Sequence, residues 1–237
     1  LLVMVAGQMS DSGSASVLDE TAEKRFADPT IGIATVAGND GVDYDEYETN
    51  GFTVTGLSSN TADDCAGGAA CTVTVSYGGV ERTSAVNADE SWSVSFSAAQ
   101  LAAGNTGNGV SDDPAISVTA SVTNLDATAT ASTTVEQDTD KPTITITSNT
   151  VVSGADTNTG AIVLIYTSDE ATSDFVIADI TVTECSNAAF TTGSSTVYGS
   201  TCTEDSNGAT PTVLVAADKF TDAMGNDNTV SNTYTWT

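Results

Sequence analysis

The stretch CTVTVSYGGVERTSAV, residues 71–86, decides the fold class of this chain. Its first seven residues place Val73, Val75 and Tyr77 at every second position, which is the period of a β-strand with one buried face. Gly78-Gly79 then supplies a two-residue turn, and a second strand-like run follows it. This pattern predicts an antiparallel β-hairpin.

Similar short apolar runs recur through the rest of the chain, separated by Gly, Asn, Asp and Ser residues. Strands at this spacing are typical of an antiparallel β-sandwich and not of a parallel sheet with crossover helices. Residues 97–103, SAAQLAA, are the one stretch that resembles a short helix. The predicted strands cover residues 30–36, 52–57, 71–77, 80–86, 92–96, 115–122, 127–135, 143–147, 161–167, 180–183, 196–198, 212–215 and 232–237.

Residues 138–142, DTDKP, form a charged segment that ends in proline and lies between two predicted strands. Because segments of this kind connect domains, the sequence predicts an all-β chain of two tandem antiparallel β-sandwiches. We expect a first domain over residues 29–137, a linker over residues 138–142 and a second domain over residues 143–237. Residues 1–28 precede the strand pattern and form a predicted N-terminal arm.

The arm begins with five apolar residues, Leu1, Leu2, Val3, Met4 and Val5. This run is far shorter than the roughly 20 residues of a membrane-spanning helix, so we expect no membrane-spanning segment here. An apolar arm with no domain of its own suggests strand donation, in which one subunit completes the sheet of its neighbour. The alternative is that the arm folds back onto its own domain.

The charge of the chain excludes several classes of function. Its 32 acidic and 5 basic residues give a net charge of −27, whereas nucleic acids and anionic membrane surfaces are bound through basic residues. Such a charge opposes compaction unless cations screen or bridge it, as a saline medium or specific calcium sites would do. The chain has no histidine, so Ser-His-Asp and Cys-His catalysis are excluded, and we expect no enzyme.

The four cysteines fall into two local pairs, Cys65 with Cys71 and Cys185 with Cys202. One pair lies in each half of the chain, and neither has the spacing of a zinc site, so we expect two disulfides within the domains. Disulfides persist in oxidising compartments, which indicates a secreted or cell-surface protein.

Four motifs follow one another in the second half of the chain. They are TSDEATSDF at residues 167–175, DITV at residues 179–182, FTDAMGN at residues 220–226 and TYTWT at residues 233–237. In this order they resemble the bacterial immunoglobulin-like (Ig-like) repeats of very large surface adhesins and biofilm-associated proteins. The first half is similar to a related repeat of the same adhesins, in residues 36–42, 54–56 and 88–94.

This resemblance implies Ig-like β-sandwiches in rigid rods that calcium stiffens. Such rods extend a binding tip away from a cell or mediate biofilm cohesion. The chain departs from the family in its cysteine pairs, in having two repeats where such adhesins have many, and in its apolar arm.

Two groups of acidic residues are candidate calcium ligands, because calcium takes six to eight oxygen ligands from flexible Asp- and Asn-rich loops. One group lies in the first half, and the other combines the linker with loops of the second half. The EF-hand ligand spacing is missing from both, and the alternative is that these residues are ordinary solvated turn residues. The candidates are Asp40, Asp43, Asp45 and Glu46 in the first group, and Asp138, Asp140, Asp169, Glu170, Asp222 and Asn226 in the second.

The leading functional prediction is a structural subunit of an extracellular, pilus-like filament, in which copies of the chain assemble through the donated arm. The alternative is a calcium-stiffened stalk segment of a cell-surface adhesin that recognises a cell-surface or matrix ligand. Deletion of the arm separates the two, because only the filament requires it.

Overall fold

The computed structural model describes residues 27–61, 65, 68–104, 113–125 and 127–237. The candidate assembly residues Leu1, Leu2, Val3, Met4 and Val5 lie outside this part of the chain, so strand donation stays a prediction. Within the described ranges, none of the helices has the length and apolar character that a membrane span requires.

Residues 27–137, here called the N-terminal half, contain eight described strands, a short helix α1 and one turn of π-helix. The strands form two sheets with the orders β1-β3-β6 and β2-β8-β7-β4-β5. The elements are β1 (Thr30–Val36), β2 (Gly41–Val42), the π-helix (Asp45–Asn50), β3 (Phe52–Ser59), β4 (Thr72–Tyr77), β5 (Val80–Ala85), β6 (Ser91–Phe96), α1 (Ala98–Gly104), β7 (Asp113–Thr123) and β8 (Thr128–Gln137).

Residues 138–237, the C-terminal half, contain seven strands in two further sheets. Their orders are β12-β13-β10-β9 and β11-β14-β15. The elements are β9 (Ile144–Ser148), β10 (Ala161–Ser168), a 3-10 turn (Ile177–Asp179), β11 (Ile180–Thr183), β12 (Cys185–Thr192), β13 (Val197–Glu204), β14 (Thr212–Val215) and β15 (Tyr234–Thr235). The predicted all-β fold of antiparallel, Ig-like sandwiches is confirmed.

The predicted hairpin is confirmed in its register. Strand β4 pairs with β5 so that Tyr77 lies opposite Val80, and Val73 and Val75 are fully buried. Gly78 and Gly79 have φ values of +53° and +93°. A two-residue hairpin turn of this kind needs positive φ at both positions, which glycine adopts without steric cost.

The buried apolar residues form two clusters, one in each half. In the N-terminal half, Trp92 is 1% exposed and packs directly on the backbone of Gly56. In the C-terminal half, Phe175 lies at the centre of four ring contacts, which join it to Tyr166, Phe190, Tyr198 and Phe220 at centroid distances of 5.0–5.8 Å.

Strand β9 forms one edge of its sheet, and a side chain covers part of that edge. The amide of Asn232 accepts the backbone N–H of Ile146 at 2.7 Å and donates to the carbonyl oxygen of the same residue at 3.0 Å. These two bonds are those that a neighbouring strand would otherwise make.

Both cysteine pairs are bonded, Cys65 to Cys71 and Cys185 to Cys202. The second disulfide joins the adjacent strands β12 and β13 and is buried in the core of the C-terminal half. Strands β2 and β12, the π-helix and the 3-10 turn were absent from the predicted elements. Strand β12 escaped prediction because Ala188–Phe190 lacks an alternating apolar pattern. The strand pairing is irregular at this point, where Ala189 has φ of +53° and forms a bulge.

Candidate metal centre

Three carboxylates converge where the connecting segment enters the C-terminal half. Asp138 comes from that segment, Glu170 follows β10 by two residues, and Asp222 begins a loop after Phe220. One carboxylate oxygen of each lies within 4.8 Å of the others, and Asp222 is only 9% exposed. All three are among the candidate ligands that the sequence indicated.

The loop of residues 222–226 fixes the orientation of the Asp222 carboxylate. Its Oδ1 accepts the backbone N–H groups of Met224 and Gly225 at 2.8 Å and of Asn226 at 3.0 Å. Gly225 has φ of +103°, a backbone conformation that residues with a Cβ atom rarely adopt. The sequence DAMGN therefore forms a tight turn around one carboxylate oxygen.

Asp174 positions this loop, although the sequence did not identify it as a site residue. Its carboxylate accepts the backbone N–H of Thr221 at 3.1 Å and the Thr221 hydroxyl at 3.0 Å, together with the Thr172 hydroxyl at 2.6 Å. Burial alone raises the pKa of Asp174, but the hydrogen bonds from Thr172 and Thr221 outweigh it, and the net effect lowers the pKa. The sequence feature that could have identified Asp174 is its position in the motif at residues 167–175, which resembles the adhesin repeats.

Asn226 connects the two halves of the chain. Its Nδ2 donates to the carbonyl oxygen of Asp138 at 3.0 Å and to Asp222 Oδ2 at 2.9 Å. Its Oδ1 accepts the backbone N–H of Tyr44 at 2.7 Å. Because this oxygen already accepts a backbone donor, Asn226 orders the site by connecting its parts, a role different from that of a simple metal ligand.

Other contacts between the halves surround this amide. The backbone N–H of Asp138 donates to the carbonyl oxygen of Val42 at 3.0 Å. The side chain of Met224 lies over Gly41, where an added Cβ would be 2.5 Å from Met224 Cε. The ammonium group of Lys141 lies 4.3 Å from the ring centroid of Tyr44, within cation–π distance.

The candidates of the first group make mainly local contacts. Asp40 Oδ1 accepts the N–H of Val36 at 3.0 Å and closes a turn. Asp43 and Glu46 accept each other's backbone N–H groups, at 2.8 and 3.3 Å. Burial raises the pKa of Glu46, and the nearby charge of Asp43 adds to this effect, whereas a backbone hydrogen bond opposes it.

The remaining candidates lie beside the carboxylate cluster. Asp169 accepts the backbone N–H of Thr143 at 2.7 Å and its hydroxyl at 2.6 Å, so it orders the start of the C-terminal half. Asp140 donates its backbone N–H to Asp138 Oδ1 at 3.2 Å. Asp43 and Asp45 line a small surface cavity with Lys141 and Asn226.

The chemistry of the cluster fits calcium. Calcium binds oxygen ligands at about 2.3–2.6 Å, so oxygens on opposite sides of the ion lie about 4.6–5.2 Å apart. That is the largest separation that two oxygens bound to one calcium ion can have, and the oxygens of Asp138, Glu170 and Asp222 all lie within 4.8 Å of one another, so they are close enough to bind the same ion. Three carboxylates without sulfur or imidazole are a ligand set for calcium or magnesium, not for zinc.

Comparison with known protein families gives a match to the C-terminal half. Residues 138–237 match the model of the bacterial Ig-like domain family. A search of curated protein sequences gives no significant match.

Several solved structures align with this chain at low sequence identity. One is a structure from a 1.5-MDa bacterial ice-binding adhesin, concerned with the retention of that adhesin at the host cell surface. It is 21% identical, with a TM-score of 0.46 and 88% of this chain covered. A calcium-stabilised adhesin with which an Antarctic bacterium binds ice is 20% identical, with a TM-score of 0.46 and 87% covered. This chain spans 64% and 48% of those two structures. A bacterial Ig-like domain of the M. primoryensis ice-binding adhesin is 24% identical over 47% of this chain and 96% of its own, with a TM-score of 0.33.

Proposed function

Because residues 138–237 match the bacterial Ig-like domain family, we propose that this chain is a calcium-stiffened segment of a cell-surface adhesin stalk. In this proposal, residues 29–137 and 143–237 are two Ig-like domains, and residues 138–142 are the linker that calcium makes rigid. The role is mechanical, and we expect no catalytic activity.

The observation that carries the proposal is the position of the three carboxylates. Asp138 belongs to the proposed linker, whereas Glu170 and Asp222 belong to the proposed second domain, and their oxygens lie within 4.8 Å of one another. Without a cation these negative charges repel each other, which favours separation of the linker from the domain. With a calcium ion between them, the same charges attach the linker to the domain.

Asp138 also contacts the other half of the chain. Its backbone N–H donates to Val42, and its carbonyl oxygen accepts from Asn226, which in turn accepts from Tyr44. A cation that fixes Asp138 therefore restrains both domains at once. This arrangement suits a rod that must resist bending.

The composition of the chain supports an extracellular location for such a stalk. Two disulfides are stable in an oxidising, extracytoplasmic compartment. A net charge of −27 favours an environment rich in cations. We expect the ligand to be a cell-surface or matrix component, bound at the tip that the stalk extends.

The filament function stays a prediction. It depends on Leu1, Leu2, Val3, Met4 and Val5, which lie outside the described residues. The junction between the two halves supports the stalk more directly, because its contacts lie within one chain.

Calorimetric titration of the full chain with calcium tests the proposal. Asp222→Asn removes one ligand charge, and we expect it to weaken calcium binding by roughly tenfold or more. Asp218→Asn is the matched control, because Asp218 is exposed and has φ of +59°, which asparagine adopts readily. Small-angle scattering with and without a chelator measures whether the bound ion stiffens the chain.

Equal calcium affinities for the two variants would contradict the proposed site. A scattering curve that does not change when calcium is removed would contradict the stiffening role, even if the ion binds.

A further inference from the structure

One flexible apolar side chain, that of Met224, packs across the contact between the two halves. An added Cβ on Gly41 would lie 2.5 Å from Met224 Cε and 3.1 Å from Met224 Sδ, so the thioether lies directly against the Gly41 backbone. Gly41 is buried, and the next residue, Val42, is fully buried. The end of the Met224 side chain therefore fills a closely packed space between β2 and the loop of residues 222–226.

Met224 belongs to the loop that also carries the connecting amide and one carboxylate of the cluster. Its backbone N–H donates to Asp222 Oδ1 at 2.8 Å. Two residues later, Asn226 accepts the backbone N–H of Tyr44 at 2.7 Å and donates to the carbonyl oxygen of Asp138 at 3.0 Å. A change in the packing of the Met224 side chain therefore acts on the turn that makes all of these contacts.

The loop is open to small solutes on its outer side. Met224 is partly exposed, and its neighbours Ala223 and Gly225 are exposed. A methionine thioether is a common target of oxidation in proteins. The other two methionines of the chain, Met4 and Met9, lie outside the described residues, so Met224 carries the one thioether in the part of the chain that the structure describes.

We propose that Met224 is an oxidation site and that its sulfoxide loosens the junction between the halves. The oxidant is a peroxide, which transfers one oxygen atom to Met224 Sδ. The peroxide O–O bond breaks, an S–O bond forms, and hydrogen peroxide is reduced to water while the sulfur is oxidised to the sulfoxide. This inference rests on the proposed stalk function and adds a chemical condition under which the stalk becomes flexible.

The sulfoxide does not fit the space that the thioether occupies. Its oxygen is a polar acceptor that needs a hydrogen-bond donor when it is buried. The N–H of Gly41 already donates to Asn39 Oδ1 at 3.2 Å, so it is not free to bond the new oxygen. The space is also small, because a single carbon added on Gly41 would already lie 3.1 Å from the sulfur.

The oxidised side chain therefore leaves Gly41 for solvent. This movement removes the apolar contact between the halves and pulls on the turn that holds Asn226 against Tyr44. The disulfide Cys185–Cys202 and the apolar cluster of the C-terminal half lie elsewhere, so the half itself stays folded. Oxidation at one sulfur thus changes the junction without unfolding the domain beside it.

The test treats the full chain, in calcium, with hydrogen peroxide and measures amide hydrogen exchange at Tyr44. Peptide mass spectrometry of the same samples gives the oxidation of Met224 separately from that of Met4 and Met9. We expect exchange at Tyr44 to become faster by about tenfold or more once Met224 is oxidised. Exchange at Ile146, whose N–H is bonded within the C-terminal half, should stay unchanged.

Met224→Leu is the matched control, because leucine is apolar and of similar volume but has no sulfur to oxidise. Peroxide should leave the exchange of Tyr44 in this variant unchanged, although Met4 and Met9 can still be oxidised. Treatment of the oxidised parent chain with methionine sulfoxide reductases should restore the original exchange at Tyr44.

Four results would overturn the inference. They are a Met224 that stays reduced while Met4 and Met9 are oxidised, a Met224 sulfoxide with unchanged exchange at Tyr44, an equal response of Met224→Leu, and an equal acceleration at Ile146, which would mean that the half unfolds. Each of these leaves the proposed stalk function intact, because that function is tested by calcium binding and scattering of the unoxidised chain.

Discussion

The side-chain oxygen of Asn226 accepts the backbone N–H of Tyr44 at 2.7 Å, and 182 positions separate the two residues in the sequence. The same side chain donates to Asp138 and to Asp222. One amide therefore joins the N-terminal half, the connecting segment and the carboxylate cluster.

Asn226→Ala is expected to loosen the junction while both halves stay folded. The variant loses three side-chain hydrogen bonds, each of which contributes about 1 kcal/mol. Small-angle scattering in calcium should show a broader distribution of distances between the halves. Asn228→Ala is the control, because its amide bonds only within the C-terminal half, to Ala216, Lys219, Phe220 and Thr229. A lowered melting temperature without a change in scattering for Asn226→Ala would contradict this role.

Protonation of Asp174 at low pH is expected to destabilise the C-terminal half. Hydrogen bonds from Thr172 and Thr221 outweigh burial and lower the pKa of Asp174 below its ordinary value of 3.8. A carboxylate with a lowered pKa adds stability that is fully present above its ordinary pKa and is lost as the pH falls through the folded pKa. Urea unfolding between pH 5 and pH 2.5 should therefore have a steeper pH dependence in the parent chain than in Asp174→Asn. Identical slopes would show that another group governs the acid response.

Gly56→Ala is expected to destabilise the N-terminal half by about 1–3 kcal/mol. A Cβ at this position would lie 2.0 Å from the carbonyl oxygen of Gly32 and 2.2 Å from Trp92 Cζ2, so the strands must shift. Gly32→Ala is the matched control on the neighbouring strand, because a Cβ there meets nothing within 4 Å. Urea unfolding followed by the fluorescence of Trp92, with Trp236 replaced by Phe, measures both. Equal losses for the two glycines would argue against the packing of Trp92 on Gly56.

Removal of the two disulfides is expected to have unequal effects. Cys185 and Cys202 are separated by 17 positions, and Cys65 and Cys71 by 6. The chain-entropy relation gives about 3 kcal/mol for the longer loop and about 2 kcal/mol for the shorter one. Paired Cys→Ala variants, compared by urea unfolding, test this order. A larger loss for the Cys65–Cys71 pair would mean that strain or packing outweighs chain entropy.

The strand pattern of this chain could be predicted from the sequence because one face of most strands is buried. Val73, Val75 and Tyr77 alternate with threonine and serine, and that alternation alone defines a strand and its inner face. The π-helix at Asp45–Asn50 escaped prediction, because its one buried residue, Tyr47, gives no periodic signal. Its acidic side chains had suggested only a loop.

The candidate site was predicted less completely, because it depends on register and on distant contacts. Asp169 and Glu170 are neighbours in the sequence, but Asp169 bonds to Thr143 while Glu170 lies in the carboxylate cluster. Composition could not distinguish them. The bond from Tyr44 to Asn226 joins distant loops, and no local pattern contains that information.

The amide of Asn232, which satisfies both backbone groups of Ile146, has a consequence for aggregation. An open strand edge is a template on which any extended peptide can grow. At Ile146 an incoming peptide would have to displace a side chain already bonded in the geometry of a strand. The edge of β9 at Ile146 is therefore protected against the start of cross-β growth.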